Sequence, residues 1–508
     1  MSRNLYTAMR AARPAAEKPF LTLQDGRVVR YGELEALSAR WANALVACGV
    51  ETGDRVAVQV EKSPEQVLLY LACMRVGAVY LPLNPAYTPA EILYFLRDSQ
   101  PALFVCAPAA LAALRPVAAE AGVPRVETLD QDGTGSLLDL AAAASEKFAD
   151  REIGTDHLAS ILYTSGTTGL AKGAMLTHGN LLSNAEALVQ TWGITSADTL
   201  IHALPIFHTH GLFVALNTSL LSGASILFQL RFDLDAILDA MPQATTLMGV
   251  PTFYTRLLSS PRLTREAVAH IRLFVSGSAP LSAETHAEFF ARTGHAILER
   301  YGMTETNMIA SNPLDGERRP GSVGRPLPGV ELRIADPSDG RVLPRGEVGG
   351  IEVRGPNVFV GYWRNPEKTK AEFRPDGFFI TGDMGRIDQD GYVWIVGRSK
   401  DLIISGGFNV YPAEVEAVLD ALPGVAECAV IGVPHPDLGE GVTAIVIPRP
   451  GAALDEEAMR KELAKNLARY KIPRRLIQAE TLPRNVMGKI QKNALRETFS
   501  GLYGAAKG

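Results

Sequence analysis

Apolar residues along this chain fall in short runs, each ending near a glycine, proline or hydroxyl residue and giving way to a stretch with helical spacing. From Tyr31 an amphipathic helix is expected to about Cys48, a strand over Arg55 to Val60, and a new helix opened by Ser63 with Pro64 at its first position. A strand over Ala78 to Leu83, a helix from Thr88-Pro89, a strand over Ala102 to Cys106 and an alanine-rich helix follow. The alternation resumes with strands over Thr199 to Leu204, Ser225 to Leu227, Thr246 to Gly249 and Leu273 to Ser276. Such alternation predicts an α/β fold of doubly wound, mainly parallel sheets, which bind ligands at the carboxyl ends of their strands.

From Gly321 to Arg398 the pattern changes to short β-runs broken by Gly and Pro, suggesting a small distorted β-barrel. After Asp401 come a glycine-rich loop at 405–410, a helix from Pro412, strands over Val425 to Gly432 and Val442 to Ile447, and a charged helix near Leu454 to Ala468. This reads as a compact α+β unit. The expected organisation is a large N-terminal domain, 1–397, with its barrel-like part at 321–397, a hinge at 398–401 and a small C-terminal domain at 402–508.

The stretch Tyr163-Thr-Ser-Gly-Thr-Thr-Gly-Leu-Ala-Lys172-Gly173 stands out against this background. It follows the apolar run Leu158 to Tyr163 and precedes a helical pattern from about Thr177, so a strand-to-helix loop is expected. Glycines, hydroxyls and one lysine so close together can converge on a polyphosphate. The ordinary P-loop has Ser or Thr directly after Gly-Lys; Lys172 follows Leu-Ala instead, so P-loop chemistry is not supported. A glycine-rich turn without a ligand remains the alternative for the loop taken alone.

Composition narrows the class. The 508 residues, 47% hydrophobic and 21% charged, suit a globular protein of several domains. A net charge of -5 leaves no footprint for nucleic acid or an anionic membrane. Cys48, Cys73, Cys106 and Cys428 lie in apolar runs without paired spacing, which implies buried thiols in a reducing compartment and neither a disulfide framework nor a zinc site. No apolar span of transmembrane length occurs, so no membrane insertion is expected; Met1 to Lys18 lacks a signal-peptide core, and a cytoplasmic location is expected.

Four further motifs follow the loop in order: Tyr301-Gly-Met-Thr-Glu305, Thr381-Gly-Asp383, Gly397-Arg-Ser-Lys-Asp401 and Asn485-Val-Met-Gly-Lys489. Together they make the chain resemble the adenylate-forming acyl-CoA synthetases from about residue 5 to residue 497. Within that family, Leu204-Pro-Ile-Phe-His208-Thr-His210-Gly, Gly249-Val-Pro-Thr-Phe-Tyr-Thr-Arg256 and Glu299-Arg300-Tyr301 are most similar to malonyl-CoA synthetases.

The resemblance implies attack of a substrate carboxylate on the α-phosphorus of ATP and transfer of the acyl group to coenzyme A, with Mg²⁺ required. It places Thr164, Ser165, Gly166, Thr167, Thr168, Gly169 and Lys172 on the β- and γ-phosphates, Thr304 on the α-phosphate and Glu305 on the metal. Ser276, Gly277, Ser278 and Ala279, with Glu299, Arg300, Tyr301, Gly302 and Met303, would wall the adenine pocket, Tyr301 stacking on the base. Asp383 and Arg398 would hold the ribose. Lys489 would reach the carboxylate and α-phosphate as charge builds. Acylation by a lysine acyltransferase would silence it until a deacylase acts, making both candidate partners.

Lys400 matches the hinge of a mobile lid, Ser405, Gly406 and Gly407 the pantetheine passage, and Lys471, Arg474 and Arg475 the coenzyme's phosphates. Arg256, Arg300 and Ser278 would grip a non-reacting carboxylate, with His208 adding a hydrogen bond and a catalytic, gating role. Plainer alternatives stand beside these: a helix start at Thr304-Glu305, a turn cap at Asp383, a solvated basic face at Lys471, and arginines paired internally with Glu299. The expected activity is ATP-dependent ligation of a small dicarboxylate, malonate or methylmalonate, to coenzyme A. The alternatives are a monocarboxylate ligase, an adenylating enzyme loading a carrier protein in trans, and a catalytically dead nucleotide binder.

Overall fold

The computed structural model describes residues 4–164, 171–406, 408–485 and 488–503. Two sheets dominate the first four hundred residues. The larger has nine strands; its middle runs parallel through Pro19–Leu23, Ser225–Phe228, Thr199–His202, Thr246–Gly249, Leu273–Ser276 and Leu298–Met303. The second has seven, with Leu158–Thr164, Val79–Pro82, Arg55–Gln59, Leu103–Cys106 and Val126–Thr128 parallel. Helices cover both, as the alternation predicts, and one apolar core joins the two sheets.

Local signals explain the helix starts. Ser63 caps Pro64–Val76, Thr88 caps Pro89–Ser99 and Thr177 caps His178–Trp192, each side-chain oxygen accepting a backbone N–H of the first turn. One expectation is corrected here. The stretch after Leu158–Thr164 is not a strand-to-helix loop, because Lys172–Thr177 is itself a strand, antiparallel to Leu158–Thr164 with Thr164 opposite Lys172. Gly173 allows that pairing: a Cβ there would lie 2.7 Å from Ile161 Cγ2. The phosphate-binding candidate is therefore a hairpin loop, and the helix begins beyond it.

The segment expected as a barrel contains a four-stranded antiparallel sheet, Glu331–Ala335, Gly349–Arg354, Phe379–Ile387 and Val393–Arg398 in that spatial order. A single turn, Ser399–Asp401, leads from it to the C-terminal unit, whose sheet of Phe408–Val410, Ile403–Ser405, Gly439–Pro448, Val425–His435 and Arg475–Gln478 has apolar clusters of its own. All four cysteines are buried free thiols, and no helix among the described residues is long and apolar enough to cross a membrane.

Candidate active site

The carboxyl ends of the central strands of the larger sheet converge on one cleft. Leu273–Ser276 runs into Gly277 and Ser278, and Leu298–Met303 carries Glu299, Arg300 and Tyr301. Alternation along the second strand puts Arg300 and Glu299 on opposite faces, so the internal pairing weighed for Arg300 does not form. Glu299 instead accepts the Gly321 N–H at 3.3 Å, and burial pushes its carboxyl up to about 8.

Arg300 is 4% exposed, and its Nε and Nη2 have no hydrogen-bond partner. Burial lowers its pKa to about 9. The guanidinium lies flat on Gly277, where a Cβ would be 2.3 Å from Arg300 Cζ. Other unpartnered polar atoms occur on neighbouring segments: Ser276 Oγ, Thr209 Oγ1 and His210 Nε2. Ser278, held at a φ of 73°, brings its Oγ to 3.2 Å from His210 Nδ1. Burial, with Arg300 and Lys489 nearby, pushes His208 down to about 4, so it is neutral at pH 7. His208 Nδ1 accepts the His210 N–H at 3.4 Å, which leaves its Nε2 as the donor.

The nucleotide side is built from the hairpin and the four-stranded sheet. Tyr301 donates its hydroxyl to Asp383 at 2.5 Å, and Arg398, opposite Asp383 in the ladder, lies 3.4 Å from the same carboxylate. Thr304 and Glu305 occupy the turn of an antiparallel hairpin, so no helix starts there. Glu305 is 6% exposed; burial raises its pKa, and its side-chain neighbours are the hydroxyls of Thr164 at 3.4 Å and Tyr362 at 3.1 Å. No cation pairs with it among the described residues. Lys172 lies 3.8 Å from Glu372 and 5.0 Å from the Tyr362 ring centre. Ser165, Gly166, Thr167, Thr168 and Gly169 lie outside the described residues, as does Gly407.

Lys489 comes from the C-terminal unit on a tight turn, its N–H donating to Asn485 Oδ1 at 3.0 Å. The turn closes on the large domain: a Cβ on Gly488 would be 3.0 Å from Thr252 Cγ2. Burial, together with the cations Arg398 and Lys400, lowers Lys489 to about 8 against the opposing pull of Asp383 and Asp401. Lys489 is thus in the cleft, near Asp383, Arg398 and His208.

Other candidates are not brought there. Ser405 is buried and Gly406 turns the hairpin with a φ of 58°, while Lys471 pairs with Glu414 at 2.5 Å and Arg474 and Arg475 are exposed. None of their hydrogen bonds or ion pairs reaches the Lys489 and Arg300 cluster. Lys400 sits in the linking turn. Arg256 is exposed beside Phe232, its guanidinium 5.2 Å from that ring centre, on the wall of a cavity of about 480 Å³ that also borders Phe207 and Gly488. Neither Arg300, Ser278 nor His208 lines that cavity. Tyr362, Glu372 and Thr209 were missed from sequence. Tyr362 belongs to a two-residue strand whose role depends on pairing with Lys172–Thr177, which no local pattern signals.

Among the described residues no group of three or more His, Cys, Asp or Glu side chains could hold a metal unaided. Glu305 fits a divalent ion that takes its remaining ligands from phosphate and water, since it is a buried carboxylate without a cation.

The AMP-binding enzyme family matches residues 8–363, and the AMP-binding enzyme C-terminal domain matches residues 414–489. A feruloyl-CoA synthase of Amycolatopsis sp is 38% identical, covering 93% of this chain and 94% of its own. A malonate–CoA ligase of Arabidopsis thaliana is 36% identical, covering 94% and 85%. The ATP-bound crystal structure of MatB from Rhodopseudomonas palustris is 58% identical with a TM-score of 0.97, covering 99% of this chain and 100% of that one. The apo crystal structure of the same protein superposes with a TM-score of 0.87, so the arrangement seen here, with Lys489 in the cleft, is closer to the ATP-bound form.

Proposed function

Since this chain belongs to the AMP-binding enzyme family, we propose that it is an AMP-forming acid–thiol ligase joining malonate to coenzyme A through an acyl-adenylate. The observation that carries the substrate assignment is Arg300, a buried guanidinium with two nitrogens unpartnered beside the reacting lysine's cluster. An unpaired buried cation is costly, and a second carboxylate on a short acid restores its hydrogen bonds by a forked pair. A feruloyl or fatty chain would leave it bare. The malonate–CoA ligase relative supports this choice, while the feruloyl-CoA synthase, at similar identity, shows that overall likeness does not decide it.

In the first step a carboxylate oxygen of malonate bonds to the α-phosphorus and the bond to pyrophosphate breaks. Lys489 neutralises charge on the entering carboxylate and the α-phosphate. Tyr301, Asp383 and Arg398 hold the nucleoside, and Arg300 with Ser278 and the neutral His208 fixes the far carboxylate. Bound at Glu305, Mg²⁺ would spread the phosphate charge. In the second step the coenzyme A thiol gives its proton to solvent, its sulfur bonds to the acyl carbon, and the bond from that carbon to the AMP oxygen breaks. That step needs the glycine-rich hairpin at Gly406, now away from the cleft, so the lid turns about Lys400.

Thioester and pyrophosphate formation are measured with malonate, methylmalonate, succinate, acetate, butyrate and octanoate. Malonate is expected to exceed the monoacids by roughly 10³ in kcat/KM. If butyrate or octanoate wins, the malonate assignment fails; if pyrophosphate appears but coenzyme A is not acylated, a carrier protein is the true acceptor.

A further inference from the structure

Lys62 lies just ahead of the helix Pro64–Val76 and is 5% exposed. Its Nζ lies 2.8 Å from His202 O, 2.7 Å from Gln229 O and 2.9 Å from His202 Nδ1, and 4.3 Å from the centre of the Phe228 ring. No carboxylate pairs with it among the described residues. The protons on this group are fixed by its neighbours. His202 Nε2 faces the Gly211 carbonyl at 2.9 Å and must donate to it, which leaves Nδ1 bare. All three neighbours of Lys62 are therefore acceptors that favour the ammonium, against burial, which pushes the amine's pKa well below the usual lysine value. A methionine would fill the same space without the cost of burying a charge.

The far end of this chain of bonds is the turn that carries the acyl-site histidines. Gly211 packs so tightly that a Cβ would lie 2.1 Å from Pro205 O, and Leu212 N–H donates to His208 O at 3.0 Å. His210–Leu216 then forms a π-helical turn, a rare geometry that accompanies functional sites. Lys62 also borders the 480 Å³ cavity together with Phe207 of that turn and Gly488 of the lid.

We propose that Lys62 is a positioning residue for acyl recognition: its buried amine, linked through His202 to the Gly211 carbonyl, fixes the turn that presents His208 and His210 to the substrate. The inference rests on the ligase reading above and deepens it, since the amine acts on the acyl site through one imidazole and leaves the nucleotide side untouched.

Wild type, Lys62→Met, His202→Phe and the double variant are compared for kcat and KM with malonate, butyrate and ATP, and for thermal midpoint. Each single variant is expected to raise KM for malonate roughly tenfold, with the preference over butyrate falling and KM for ATP moving less than about twofold. The double variant is expected to be no worse than either single one, because both act through one path. It leaves neither a buried lysine nor an unpaired imidazole Nδ1 and is the variant expected to keep its thermal midpoint. An unchanged malonate KM in the double variant overturns the proposal. So does a parallel loss for malonate, butyrate and ATP with a falling midpoint, or failure of all three variants to fold. A wild type that forms no malonyl thioester refutes the ligase reading and this inference with it, a result distinct from the others.

Discussion

Replacing Arg300 by methionine separates substrate recognition from stability. Burial lowers the arginine to about 9, and each pH unit of that displacement is about 1.4 kcal/mol, so the bare guanidinium costs the empty site roughly 4–5 kcal/mol. The folded pKa lies below the unfolded one, so the penalty is full at pH 7 and relieved only as pH rises above about 9. Methionine removes the charge, and after cavity relaxation a gain of about 1–2 kcal/mol is expected, a rise in thermal midpoint of a few °C. The same change should cost malonate the partner of its second carboxylate, worth about 3–5 kcal/mol when buried, or between about 10² and 10⁴ in kcat/KM. Butyrate should be unaffected or improved. Pyrophosphate release measures the kinetics, and thermal melts with and without malonate measure the stability, with ligand stabilisation expected only in wild type. A variant that melts lower and loses malonate and butyrate equally would show that Arg300 is structural and refute the reasoning.

Three other outcomes are expected. Lys489→Ala should abolish adenylation yet spare thioester formation from supplied malonyl-adenylate; in wild type, adenylation kcat/KM should fall as pH rises through about 8, because the ammonium is lost there, as a pH profile on the free enzyme will show. Gly277→Ala puts a methyl 2.3 Å from Arg300 Cζ and should reduce the preference for malonate over butyrate by at least about tenfold, read as a ratio of kcat/KM values. Lys400→Pro should slow thioester formation more than pyrophosphate exchange, and equal effects in separate half-reaction assays would count against a hinge there.

Much of this protein was legible along the chain because the deciding forces are local. Capping by Ser63, Thr88 and Thr177 and the apolar runs set the order of strands and helices, and the motifs around Tyr301, Asp383 and Lys489 name residues that the fold brings together. The hairpin at Lys172 is not legible in the sequence, because a strand that pairs with its own predecessor has no signature separate from a loop leading into a helix. What tertiary structure alone decided is which charges have partners. Arg256 and Arg300 look alike in sequence, yet the first is exposed on a helix and the second is buried with its Nε and Nη2 unpartnered, since burial and pairing depend on segments far apart in the chain. The same holds for Lys62, an ordinary lysine until His202 and Gln229, more than a hundred residues on, fold around it, because the cost of a charge is set by the solvent and partners it loses.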